Sequence, residues 1–133
     1  MEDTIELLRE QAVDVPVPLS LPDEDDLVSI EEELLIPLPY DLRLFLLEVS
    51  NVVYGSLAPV TITDPHAHTH LPDVASVAWD LYVPRHLIPV CQDGDRYYCI
   101  SEEGQISLWS AEGEAEETWR SLWLWVRDIW LNS

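Results

Sequence analysis

The spacing of apolar positions changes along the chain, and the elements it predicts change with it. Residues 3–13 place Ile5, Leu8 and Ala12 on one helical face, with Asp3 and Glu6 at capping-box spacing, and predict a short amphipathic helix. Residues 15–22 hold three closely spaced prolines, which forbid helix and predict an extended linker. The acidic run Asp23, Glu24, Asp25 and Asp26 reads as the solvated continuation of that linker. A second helix is predicted from Ser29, where Ser29 and Glu32 have capping-box spacing and Leu27, Ile30 and Leu34 share a stripe. The strongest helical pattern covers residues 38–51. Pro39 suits a first turn, Asp41 suits the positive end of the helix dipole, and Leu42, Phe45, Leu46 and Val49 follow the i, i+3, i+4, i+7 rule. Leu44 and Leu47 lie off that stripe, so this helix is expected to be covered on more than one side.

Beyond residue 55 the pattern shortens. Residues 56–63 suggest a short β segment, and 73–81 a short helix carrying Val74, Val77, Ala78 and Leu81. Residues 87–91, 96–101 and 105–109 read as strands. The Asp-Gly turn at 92–95 joins the first two, and the 102–104 turn, with Gly104 free to take positive φ, joins the last two. Pro89 suits an edge strand or a strand end. Residues 116–131 predict a closing helix. Glu116 and Glu117 suit its start, Trp119, Leu122, Trp123, Val126 and Trp130 form its stripe, and Trp125 and Ile129 flank it. The stripe is expected to rest on the sheet, with Trp125 partly exposed. Trp125 and the edge near Pro89 are the two features a second copy could use. The fold class expected is α+β, a mostly antiparallel sheet packed against helices. It is one globular domain overall, with residues 1–28 as N-terminal helix and linker and 29–133 as its main body.

Charge narrows the partners. The 133 residues include 26 acidic side chains against six basic ones, for a formal net charge of −20. All six basic residues are arginine: Arg9, Arg43, Arg85, Arg96, Arg120 and Arg127. Such a surface repels nucleic-acid phosphates and anionic lipid headgroups, so neither nucleic acid nor membrane is an expected partner. It attracts basic proteins and speeds their association. Solubility alone asks for a charge of magnitude only about 2–8. The N-terminal residues are acidic without a long apolar run, and no stretch nears the roughly 20 apolar residues of a spanning helix. A cytoplasmic protein is therefore expected, with Cys91 and Cys99 as reduced, buried thiols.

Three histidines, His66, His68 and His70, stand at alternate positions. On a strand they would point one way, like a three-histidine zinc site with an open fourth position. Asp64 and Asp73 lie close by as further ligands or their supports. The stretch is bracketed by Pro65 and Pro72, however, and a loop does not hold that geometry. The expectation adopted is a polar surface loop, with no metal and no cofactor. No Gly-x-Ser-x-Gly, phosphate-binding glycine loop, CxxC or calcium-loop pattern occurs. No residue is marked as a general acid, base or nucleophile, so no catalytic residues and no enzymatic activity are expected.

The order of these segments resembles the SUKH superfamily. The run from Ile30 to Asn51 is similar to its N-terminal signature at Glu33, Leu38, Pro39, Asp41, Leu42, Phe45, Leu46 and Asn51. Residues 84–90, 93–100 and 104–109 resemble its later blocks: a Pro-x-x-Leu-Ile-Pro strand, an Asp-Gly turn into Tyr-Tyr-Cys, and a Gly-led strand ending in Trp. The resemblance covers roughly residues 29–131. The chain departs from it at 50–55, where many relatives carry Asn-Gly, and at Val83, where relatives often carry glycine. The resemblance implies an α+β fold with no common catalytic residues. It also implies binding function: bacterial members mostly neutralise a cognate toxin, often a nuclease or deaminase, while others regulate through protein contact. A basic toxin or another protein is the expected partner. The expected contact residues are Asp93, Asp95, Glu102 and Glu103 near the turns, and Glu112, Glu114, Glu116 and Glu117 before the last helix.

Overall fold

A computed structural model describes residues 2–17 and 19–133. Helix α1 (Glu2–Gln11) buries Ile5 and Leu8 and packs against α3 (Tyr40–Val49). Helix α2 (Glu24–Leu34) starts earlier than expected. Asp23 is its N-cap, and Asp23 and Asp26 form a reciprocal capping box: Asp26 N–H donates to Asp23 Oδ1 at 2.9 Å, and Asp23 N–H to Asp26 Oδ2 at 3.0 Å. The acidic run is thus a first helical turn rather than a linker. Carboxylates satisfy its free amides and meet the positive end of its dipole, while Ser29 and Glu32 lie inside the helix. The expected division between residues 28 and 29 falls within α2, whose Leu27 and Ile30 are buried in one common core.

Glu31 and Arg43 tie α2 to α3. Arg43 donates to Glu31 Oε1 at 2.8 Å and to Glu24 Oε2 at 2.6 Å, and Glu31 Oε2 also accepts from Leu38 N–H at 2.8 Å. Pro39 is the N-cap of α3 rather than a residue of its first turn. Leu42, Phe45, Leu46 and Val49 are buried, and Leu44 and Leu47 pack partly buried against the same core. Helix α4 (Leu71–Leu81) opens with Pro72 in its first turn. It buries Leu71, Val74, Ala75 and Ala78, while Val77 and Leu81 are exposed.

The sheet is an antiparallel meander of β1 (Ile88–Asp93), β2 (Arg96–Ile100), β3 (Ile106–Ser110) and β4 (Gly113–Trp119), in that spatial order. Strand β4 replaces the expected start of the last helix. Ile106 pairs with Trp119 and Ser110 with Gly113, so Glu116 and Glu117 lie on a strand. Gly113 at φ 102° allows the tight return from β3. Residues 56–63 contribute only single bridges, Pro59 to Cys91 and Thr61 to His70.

The closing helix α5 (Leu122–Trp125) is capped by Ser121 Oγ, which accepts from Leu124 N–H at 3.2 Å, and continues as a π-helical turn over Val126–Trp130. It is clamped from two sides. Phe45 of α3 lies 6.0 Å from Trp123 and 5.8 Å from Trp130 between ring centres, and Tyr98 of the sheet lies 5.3 Å from Trp125. The structure therefore corrects the expectation that Trp125 is partly exposed: it has no accessible surface. A helix held between a sheet and another helix buries its flank as well as its stripe. The opposite face of the sheet carries Tyr97 against Tyr82 at the end of α4.

Candidate functional site

The sheet register sorts the eight expected contact residues into two groups. In a meander the first and third turns share one end and the second turn lies at the other. Asp93 and Asp95 in the β1–β2 turn therefore stand at the same end as Glu112 and Glu114 around the β3–β4 turn. Glu116 and Glu117 continue from them along β4. Glu102 and Glu103 lie in the β2–β3 turn at the far end, beside Asp41 of α3: a Cβ built on Gly104 would lie 4.0 Å from Asp41 Oδ2. A five-residue strand separates the two ends by about 17 Å. The near end thus carries Asp93, Asp95, Glu112 and Glu114; Glu116 and Glu117 extend this acidic rim along the β4 edge towards the far end, where Trp119 pairs with Ile106, and Glu102 and Glu103 lie apart in the far turn.

Five of these six are exposed or nearly so without an ion-pair partner among the described residues. Asp93 is the exception, paired with Arg96 at 3.2 Å. The other arginine–carboxylate pairs lie elsewhere: Arg9 with Glu48, Arg43 with Glu24 and Glu31, and Arg127 with Asp128. Arg85 stacks 3.8 Å over Trp79 and donates to Leu34 O. Arg120, the residue after β4, is exposed and makes no ion pair among the described residues, so one free guanidinium stands near the rim's six carboxylates. The rim's field is felt beneath it. Burial raises the Tyr98 phenol above its usual 10.0, Asp93 adds to the rise, and Arg96 opposes it. On the other face, burial raises Tyr82, and Asp95 adds to it.

Cys91 and Cys99 are both buried and free, as the sequence implies. Cys91 pairs with Tyr98, the neighbour of Cys99, so the two thiols point to opposite faces of the sheet. Burial, helped by Asp93, pushes the Cys91 thiol up to about 12 against a weaker hydrogen-bond effect at Ala58, and burial alone pushes Cys99 higher still. Neither is a thiolate at neutral pH, so neither is primed as a nucleophile. The histidines lie on consecutive turns, closed by Ala67 N–H to Asp64 O and His70 N–H to Ala67 O, both 3.1 Å. Among the described residues no three of His, Cys, Asp and Glu stand together as metal ligands.

The prolines of residues 15–22 predict an extended segment, but not that it covers a cleft. Residues 13–17 and 19–20 cross the body as a strap, held by Val13 N–H to Val53 O at 2.7 Å and by Thr63 Oγ1 to Ser20 O at 2.9 Å. Under it runs a cleft of about 390 Å³, walled by Val15, Val17, Leu19, Val52 and Val60, with His68 at its margin. Its buried hydroxyls are satisfied within the protein: Ser50 donates to Leu46 O at 2.7 Å, and Thr61 and Thr69 bond each other at 2.7 Å. The cleft is lined mainly by apolar side chains, and among the described residues no hydrogen bond joins a hydroxyl to His68. The β4 edge was hidden for another reason. Gly113-Glu-Ala-Glu alternates at strand period, but the Glu pair and following tryptophans mimic a helix start.

A four-stranded meander sandwiched by helices, with its ionisable chemistry on an outer rim, defines an α+β protein built around its surface. The family model described as SMI1-KNR4 cell-wall (SUKH_5) matches residues 1–131. The chain belongs to this family, as the resemblance over residues 29–131 implies, and the match also takes in the N-terminal helix and strap. It is similar to the crystal structure of a protein from Pseudomonas syringae pv. tomato, with 60% identity over 100% of both chains and a TM-score of 0.97. No curated protein matches it. No helix among the described residues is long and apolar enough to cross a membrane.

Proposed function

We propose that this protein is an immunity protein that binds and neutralises a basic toxin of nuclease or deaminase type in the cytoplasm, without catalysis. The observation that carries the reading is the rim of Asp93, Asp95, Glu112, Glu114, Glu116 and Glu117, five of them unpaired, on a chain of net charge −20. Enzymes acting on nucleic acid carry positive charge where they meet phosphate, and an acidic rim covers such a surface and associates quickly with it. Glu102 and Glu103, at the far end of the sheet, are not part of that contact.

The family's cell-wall description supports a second reading, a regulator acting by protein contact through the same surface. Affinity capture from the source cell at low and high salt separates the two. The expected result is a basic protein, released by salt, whose nucleic-acid-degrading or deaminating activity stops when this chain is added. Capture of a housekeeping protein alone, at either salt, overturns the immunity reading.

A further inference from the structure

The two edges of the sheet are finished differently. At β1 the chain closes its own edge: Pro59 bridges Cys91, and Val60 N–H donates to Val90 O at 2.9 Å. The edge near Pro89 is therefore occupied. At β4, no backbone group of the described residues pairs with Gly113–Trp119 from the outer side, and Glu114, Glu116, Glu117 and Thr118 are exposed along it. An unpaired edge presents a row of amide donors and carbonyl acceptors, which is a template for another strand.

We propose that β4 is the docking edge for an extended, lysine- or arginine-rich segment of the protein partner, which joins the sheet as a fifth strand. The inference rests on the protein-binding reading above and gives it a place and a mode. The charge pattern selects the occupant. A second copy pairing edge to edge would set Glu114, Glu116 and Glu117 against their own equivalents, and like charges directly opposite are destabilising. A neutral strand would bond to the backbone but leave the carboxylates uncompensated. A basic strand meets both demands: its backbone completes the ladder and its cations lie against the glutamates. The bulge between Ser107 and Trp109, where Ala115, Glu116 and Glu117 oppose Leu108 alone, twists the edge. A short segment fits such an edge better than a long flat strand. The same glutamates thus keep copies of this chain apart and admit a basic partner.

The test uses the full chain, isotopically labelled, and two capped nine-residue peptides of alternating lysine and valine. One is unmodified. The other is N-methylated at every second backbone nitrogen, which keeps charge and side chains but removes ladder donors. The expected result is protection of amides within 113–119 by the first peptide, with binding at least tenfold weaker for the second and for the Glu116→Lys chain with either. Equal binding of the two peptides, protection elsewhere than β4, or no binding overturns the inference. Its failure is distinct from failure of the immunity reading. Captured and inhibited toxin with an untouched β4 removes only the edge inference. A protected β4 with no toxin captured removes only the immunity reading.

Discussion

Tyr54 and Trp130 hold each other across 76 residues of sequence: Trp130 Nε1–H donates to Tyr54 O at 3.1 Å, and Tyr54 O–H returns to Leu131 O at 2.8 Å. The two bonds fasten the last turn of the chain to the loop after α3, next to the stack of Trp130 on Phe45. The loop carbonyl gives the buried Trp130 N–H a partner, which the buried N–H groups of Trp123 and Trp125 lack. Tyr54→Phe removes one bond and keeps the ring, so it should cost about 1 kcal/mol. Trp130→Ala removes the bond and the core volume, and should cost about 3–5 kcal/mol. Urea midpoints of the two variants check both; equal losses would mean that the bond, not the packing, holds this turn.

Leu35 closes α2 in the left-handed region, at φ 59°, with 82% of its surface exposed. A side chain there costs about 1–2 kcal/mol that glycine avoids, while glycine adds roughly 0.5–1 kcal/mol of unfolded-state entropy. Little apolar burial is lost. Leu35→Gly should therefore stabilise the protein by about 0.5–1 kcal/mol. A lowered urea midpoint would show that Leu35 contributes packing that offsets its strained backbone.

The buried thiols make stability fall in alkali. In the folded chain Cys91 titrates at about 12, above its ordinary value of 9.0, so the folded state holds the proton more tightly than the unfolded one. The stabilisation is complete below pH 9 and is lost as pH rises towards 12, by up to about 1.4 kcal/mol per pH unit for each such thiol. Denaturation midpoints between pH 8 and 11 should fall, and less steeply in Cys91→Ala. A disulfide-exchange thiol reagent should label neither cysteine at neutral pH until urea is added. Rapid labelling of the folded chain would contradict the burial of both.

The sequence is most legible where one local rule decides the outcome. The Leu42–Phe45–Leu46–Val49 stripe and the Asp-Gly turn at residues 93–94 specify their elements without help from the rest of the chain. It misleads where two rules compete. Asp23–Asp26 satisfies both a charge-run and a helix-cap pattern, and Leu27 and Ile30, by reaching the core, select the cap. Glu116 and Glu117 suit a helix start, yet pairing with β3 takes them. Trp125 lies off its helical stripe, and only tertiary packing puts it inside, with Tyr98 of the sheet against Trp125 itself while Phe45 holds Trp123 and Trp130 of the same helix. The acidic rim is the same kind of case: its residues are visible as charges, but the sheet register joins Asp93 to Glu112 and parts both from Glu102.

The register sets the glutamates along the β4 edge apart from the pair in the β2–β3 turn. Glu114, Glu116 and Glu117 repel one another along β4 without arginine partners, so neutralising them should not destabilise the fold. The triple variant E114Q/E116Q/E117Q should melt at the same temperature or slightly higher at low salt, with the difference gone at high salt. The same variant should slow association with the captured partner by about tenfold or more at low salt, the scale of electrostatic steering. E102Q/E103Q removes two charges at the far end and should slow it far less. Stopped-flow association rates across a salt series separate the two sets. If both slow binding in proportion to the charge removed, the partner senses only the net charge of the molecule; if the β4 set dominates, the carboxylates act from a defined rim, at the cost of the mutual repulsion that the fold tolerates there.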